Sequence, residues 1–159
     1  MDIIYRPIGI IRSPFKTLSD MPVQPVSDAS ANGFVEIDPQ YQEGLRDVEG
    51  FSHLILIYHF HRAQPSKLSV LPFLDTSPRG VFSTRAPSRP NPIGLSIVGL
   101  REINKNRLSV TQLDILDETP LIDIKPYVPE FDAHPEAYGG WFERSRGAAR
   151  KKLSDDRFE

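Results

Sequence analysis

Three prolines crowded into one short stretch set the first constraint on the fold. In STRAPSRPNPIGLS, residues 83–96, they stand at 87, 90 and 92. A proline ring holds φ near −65°, removes a backbone donor and pushes the preceding residue towards extended conformations. Ala86, Arg89 and Asn91 are therefore biased out of helix, and no central strand holds prolines at this spacing. The stretch must be a stiff, extended loop, and it carries two cations, Arg85 and Arg89.

What flanks the loop reads as strand. GVFSTR enters it and LSIVGLREI leaves it. Asn104-Lys105-Asn106 has the composition of a hairpin turn, with RLSVTQLDIL returning. LIDIKPYV follows, cut at Pro126. Upstream, Ile3–Ile11 and Gly33–Ile37 are extended runs. The strongest run is Ser52–Arg62, SHLILIYHFHR, whose apolar residues fill both faces as in a strand covered on each side. Helix signals are few. Asp38 can cap a helix with Pro39 at its first position, which predicts a short helix over PQYQEGLRDVEG ending near Gly50. A second is expected from Trp141 through Lys152. The remaining prolines of the 15 are dispersed at turns. The expected fold is mostly β, a barrel or closed sheet with one or two short helices.

Composition narrows the function classes. A chain of 159 residues with 39% apolar and 25% charged residues is expected to form one globular domain with a real core. Without cysteine it has no disulfide framework, no thiolate metal site and no cysteine nucleophile. The start MDIIYRPIGIIRSPF is interrupted by Arg6 and Arg12, unlike a signal peptide or a membrane span, so a cytoplasmic protein with no membrane partner is expected. A net charge of −2 gives no global attraction to nucleic acid, so any such contact must be local. Neither G-x-G-x-x-G nor G-x-x-x-x-G-K-[ST] occurs, which argues against Rossmann and P-loop nucleotide sites.

Four groups of residues carry possible chemistry. His59 and His61, two apart on the strongest strand, would share a face and could supply two ligands to a metal, with no third in view. The run Asp114, Asp117, Glu118 and Asp123 follows a strand and would gather acceptors at one rim of the sheet, suiting a cationic ligand. Arg85 and Arg89 suit a carboxylate or phosphate, and a loop stiffened by proline loses little entropy when a ligand arrives. Arg144, Arg146, Arg150, Lys151 and Lys152 form the densest basic cluster and the best candidate for a polyanion.

Taken together, GVFSTRAPSRPNPIGLS, IGIIRSPF, GFSHLILIYHFHR and LDILDETPLIDIKPYVPEFD resemble the YaeB-like (TsaA-like, TrmO) family over roughly residues 3–142. The resemblance implies a single-sheeted β-barrel and a homodimer. It also implies an S-adenosylmethionine-dependent methyltransferase acting on N6 of threonylcarbamoyl-adenosine in tRNA, next to the anticodon. Carried over residue by residue, the cofactor contacts fall on Pro22, Val23 and Gln24, on His61 and Arg62, on Arg85, on Leu95, and on Asp114, Ile115, Leu116 and Asp117. Bacterial relatives often have a glutamine after this histidine and an arginine in the early segment, where this chain has Arg62 and Val23. Longer relatives add a C-terminal domain; here residues 143–159 are a basic tail expected to be helical. Arg89 and the tail cations Arg144, Arg146, Arg150, Lys151 and Lys152 are the candidates for tRNA contact, and Asp117 is the candidate general base. No metal is expected. Two other readings stay open at this level: a metal-dependent β-barrel enzyme using His59-x-His61, and a non-catalytic RNA-binding barrel.

Overall fold

The computed structural model describes the backbone of residues 1–21, 31–73 and 75–145. Eight strands follow in chain order: β1 (Gly9–Arg12), β2 (Ala31–Ile37), β3 (His53–His59), β4 (Ser69–Val70), β5 (Arg79–Gly80), β6 (Ile93–Asn104), β7 (Arg107–Leu113) and β8 (Thr119–Pro126). Six of them close a barrel in the order β1-β2-β7-β6-β3-β8, and β4 and β5 pair apart as a small ribbon. Every barrel pairing is antiparallel. Closure satisfies each strand on both sides and leaves no sheet edge. The mostly-β barrel expected from the strand pattern is the observed fold.

Alternation along the strands builds the core. Leu54, Leu56 and Tyr58 of β3 point inward, as do Gly94, Ser96 and Val98 of β6. Ile11, Val35, Leu108, Leu113 and Leu121 reach the same interior and are fully buried. The outward residues of β3, Ile55 and Ile57, are only half-buried, so this strand is covered fully on one face rather than on both. Asn104 pairs with Arg107 across the β6–β7 turn, where Lys105 takes φ of 56°. Gly94 is required by a close approach: a Cβ there would overlap the ring of Tyr58 on the neighbouring strand.

Several local expectations are corrected. The first strand starts at Gly9, not Ile3, because Pro7 has no N–H to extend the ladder. Ile3, Ile4 and Tyr5 stay exposed in front of it. The helix expected after Asp38 is two 3-10 turns, Pro39–Leu45 and Val48–Gly50, separated by left-handed Asp47 at φ 67°. Pro39 does occupy the first position, but Asp38 makes no capping bond and instead accepts from Gln40 at 3.3 Å. GVFSTR is not a strand beyond Gly80; Val81–Ser83 form a 3-10 turn. The expected C-terminal helix appears as a 3-10 segment, Gly140–Ser145, and its continuation to Lys152 lies outside the described residues. A one-turn helix, α1 (Pro129–Asp132), follows β8.

Candidate active site

Neighbouring strands β3 and β6 are joined by a long excursion, residues 60–92, which builds the wall of a cavity over one end of the barrel. The wall has a small hydrophobic cluster of its own, Val70, Val81 and Ala86 with Phe73 packed against it. The cavity between wall and barrel has a volume of about 1000 Å³. Its floor comes from the end of β3, the start of β6 and the β7–β8 turn.

The proline loop is held by its own bonds. Arg89 donates from Nη1 to the carbonyls of Thr84 at 3.1 Å and Ala86 at 3.4 Å. Phe60 N donates to Pro92 O at 2.8 Å, and Lys67 N to Ser88 O at 3.0 Å. Both arginines border the cavity, but they are used differently. Arg89 braces the loop, whereas Arg85 is exposed and makes no hydrogen bond or ion pair among the described residues. A guanidinium with no hydrogen bond or close ion pair among the described residues is the group left for an anion.

A hydrogen-bonded chain lines the floor. Tyr58 Oη and Ser96 Oγ lie 3.1 Å apart, and Ser96 Oγ donates to Asp114 Oδ1 at 2.7 Å. With its one proton committed to Asp114, Ser96 must accept from the tyrosine, so both donors run towards the carboxylate. Burial pushes the Asp114 carboxyl up from 3.8 to about 6, against the Ser96 bond and the nearby charge of Arg85. Burial, then the charge of Asp114, raises the Tyr58 phenol as well, so it stays a donor.

His61 sits at the edge of the same floor. Thr119 Oγ1 gives its proton to Leu116 O at 2.7 Å, so the 3.3 Å contact with His61 is donated by Nδ1–H. That leaves Nε2 unprotonated. Burial first, then the charges of Arg62 and His59, lowers the His61 pKa, which keeps the ring neutral near pH 7. His59 ends β3 and is exposed, while His61 lies beyond the strand in a turn. The two imidazoles therefore do not share a strand face as expected. No group of three or more His, Asp or Glu side chains among the described residues is placed to hold a metal ion.

The acids of the β7–β8 turn divide. Asp114 alone lines the cavity. Asp117 accepts from Ser13 N at 2.9 Å and from Lys16 Nζ, and Arg12 bonds Glu118 at 3.2 Å. Burial is the largest single influence on Asp117 and acts upward. It is outweighed by the Lys16 and Ser13 bonds and the charges of Lys16 and Arg12, so the carboxyl lies below its ordinary value. A carboxylate so satisfied is a poor proton acceptor. Asp123 turns to Lys125 at 2.9 Å. Glu118 takes φ of 62° in the turn that leads into β8.

Of the other expected contacts, Arg62, Leu95, Ile115 and Leu116 border the cavity. Pro22, Val23 and Gln24 lie outside the described residues, as do Arg146, Arg150, Lys151 and Lys152, and nothing is described of the Arg144 side chain. Residues 10–133 match the family described as "tRNA-methyltransferase O N-terminal domain". The chain belongs to that family. A "Probable S-adenosyl-L-methionine-binding protein" of Pyrococcus abyssi is 53% identical over 98% of this chain and 85% of its own length. The "tRNA (adenine(37)-N6)-methyltransferase" of Escherichia coli is 37% identical over 91% of this chain and 66% of its own. A crystal structure of TrmO superposes with a TM-score of 0.75 and 42% identity over 88% of this chain. The chain spans 64% of that solved TrmO chain.

The tRNA-methyltransferase O family implies a cofactor for which the cavity can be tested. S-adenosylmethionine offers a carboxylate, an ammonium, a sulfonium and a flat adenine. Here the donor set matches: a guanidinium on Arg85 with its hydrogen bonds unspent among the described residues, a half-buried carboxylate on Asp114, and apolar surface from Leu95, Ile115 and Leu116. These residues fit the group. Sequence reasoning missed Tyr58, Ser96, Thr119 and Trp141. Tyr58 and Ser96 read as ordinary strand positions, and their only signal was a hydroxyl on each of two runs that face the same interior.

Proposed function

We propose that this protein is an S-adenosylmethionine-dependent methyltransferase that methylates N6 of threonylcarbamoyl-adenosine in tRNA, next to the anticodon. The observation that carries the reading is the meeting, in one cavity, of an uncommitted Arg85 with the Tyr58–Ser96–Asp114 chain. Arg85 would hold the carboxylate of the cofactor and Asp114 would face its cationic part. When bound, the cofactor supplies a methyl group already activated on a sulfonium, so alignment is the protein's main task.

The N6 nitrogen that takes the methyl must give up its proton. Asp114 is the acceptor in this reading, replacing Asp117, because it faces the cavity and titrates at about 6, close to the working pH. Ser96 keeps donating to it, Tyr58 donates to Ser96 in turn, and the chain holds its orientation. A barrel domain over 3–142 with a basic tail at 143–159 belongs to the same reading, as do a homodimer and a cytoplasmic location. An apolar outer stripe supports the homodimer: Ile93, Leu95 and Ile97 of β6 are exposed beside Ile55 and Ile57 of β3. No helix among the described residues is long and apolar enough to cross a membrane.

Calorimetric titration with S-adenosylmethionine, followed by transfer of labelled methyl to threonylcarbamoyl-adenosine-containing tRNA, tests the reading. Saturable binding and transfer without added metal are expected. Absence of binding by the folded protein would refute it.

A further inference from the structure

We propose that Phe82, on a turn that Trp141 braces through Ser83 O, is the platform on which the acceptor nucleobase stacks, outside the polar floor of the cavity. The proposal rests on the methyltransferase reading above and assigns the second half of the site. Phe82 lies on the 3-10 turn Val81–Ser83, where Val81 is buried at 1% exposure and Phe82 is 77% exposed. The turn is anchored by one residue and presents the next.

That presentation is rigid. Ser83 Oγ donates to Gly80 O and Thr84 Oγ1 to Val81 O, both at 2.8 Å, and Thr84 N bonds Val81 O at 3.1 Å. Trp141 is fixed beside it through Nε1–H donated to Ser83 O at 2.8 Å. Its ring is further held by Arg79, 5.6 Å from the centroid, and by an edge contact with Phe142. Both Phe82 and Trp141 border the cavity whose floor carries Asp114. Flat aromatic surface held in place at low entropic cost suits a planar ring, and stacking accepts any base.

Charge selects a nucleic acid as the source of that ring. The chain is net −2, yet the described cavity lining holds Arg62, Arg85 and Arg89 against a single acid, Asp114. Arg62 and Arg85 are exposed. An unstacked base entering over Phe82 would bring its flanking phosphates towards Arg62, since Arg85 is assigned to the cofactor carboxylate and Arg89 to loop carbonyls. Chemistry on a base requires it out of its stack, and an aromatic wall replaces the neighbours it leaves. A second copy of this chain would gain the apolar contact but would bring no anion to the exposed Arg62.

Phe82→Ala and Phe82→Tyr in the full chain test the assignment. The substrate is an anticodon stem-loop RNA carrying threonylcarbamoyl-adenosine, and cofactor affinity is measured separately by calorimetry. Phe82→Ala is expected to raise the KM for RNA about ten- to hundredfold, with cofactor affinity within about twofold and the melting temperature unchanged. Phe82→Tyr, which keeps the ring, is expected to restore the KM. The emission of Trp141, the single tryptophan, should fall on RNA binding in the wild type. An unchanged RNA KM in Phe82→Ala, while the wild type methylates, overturns the platform and leaves the methyltransferase reading standing. So does a Phe82→Ala protein that sediments as a smaller species than the wild type with its KM intact, which would assign the ring to a contact between copies.

Discussion

Replacing Asp114 by asparagine should make the protein more stable at neutral pH and nearly inactive. The carboxyl is raised from 3.8 to about 6, chiefly by burial. One unit corresponds to about 1.4 kcal/mol, so keeping this group ionised in the folded state costs about 3 kcal/mol at pH 7.5. The sign follows from the direction: a raised acid binds its proton more tightly when folded. Its contribution is therefore fully present below about pH 4 and is lost as pH rises through about 6. Asparagine carries no charge at any pH, and its carbonyl still accepts the Ser96 hydroxyl. The variant should gain about 1–3 kcal/mol over the wild type at pH 7.5 and nothing at pH 4. For a domain of this size each kcal/mol moves the midpoint by about 2–4 °C. Thermal unfolding of both proteins at the two pH values reads the difference directly. Methyl transfer should fall about 10²–10⁴-fold, the range of a lost proton acceptor. A variant less stable than the wild type by the same amount at both pH values would refute the reasoning, since the carboxylate would then be a net stabilising partner.

Three further substitutions separate roles that the cavity brings together. Arg85→Ala should weaken cofactor binding about 10–100-fold with no change in melting temperature, whereas Arg89→Ala, which strips donors from two loop carbonyls, should cost about 1–2 kcal/mol of stability; equal cofactor losses by calorimetry would contradict this. Gly94→Ala should press on the Tyr58 ring and cost about 1–3 kcal/mol, seen as a lowered urea midpoint. Asp117→Asn should leave methyl transfer near the wild-type rate but lower stability above about pH 4, where the depressed carboxylate is ionised in both states, the loss vanishing as pH falls through its folded pKa; a collapse of activity without loss of stability would return Asp117 to the chemistry.

The barrel was legible because its cause is local. The apolar β-prone run Leu54–Tyr58 and the turn at Asn104–Asn106 act within a few residues, though the run did not show which of its faces is buried, and the proline spacing admits only an extended loop. Errors arose where a distant contact decides. The first strand begins where it pairs with Ile37 and Leu121, and beyond Ile8, whose N bonds Leu121 O at 2.8 Å, Pro7 has no N–H to continue the ladder. The β3–β6 ladder ends with Phe60 N on Pro92 O, a residue far along the chain with no N–H to return a bond, and His61 follows in a turn. The acids after β7 looked like one cluster, yet they take different partners, and the backbone reverses at Glu118 among them. No pattern in the sequence shows that reversal, since glutamate is not a residue that advertises positive φ. Trp141 read as the start of a helix, and its bond to Ser83 spans too much chain to be inferred.

The wall over the cavity and the barrel beneath it do not share a hydrophobic cluster: Val70, Val81 and Ala86 pack with Phe73, apart from the interior of the closed sheet. Two clusters make two cooperative units, and the smaller one, with few buried side chains, opens at lower free energy. Amide exchange in residues 69–86 should therefore outpace that in β3 and β6 even though the strands flank the same excursion. Because both ends of the excursion emerge from paired strands, its length changes loop-closure entropy only slowly. The barrel can thus tolerate a different excursion in the same place, so that substrate preference is free to diverge in one contiguous cassette while the scaffold stays as it is.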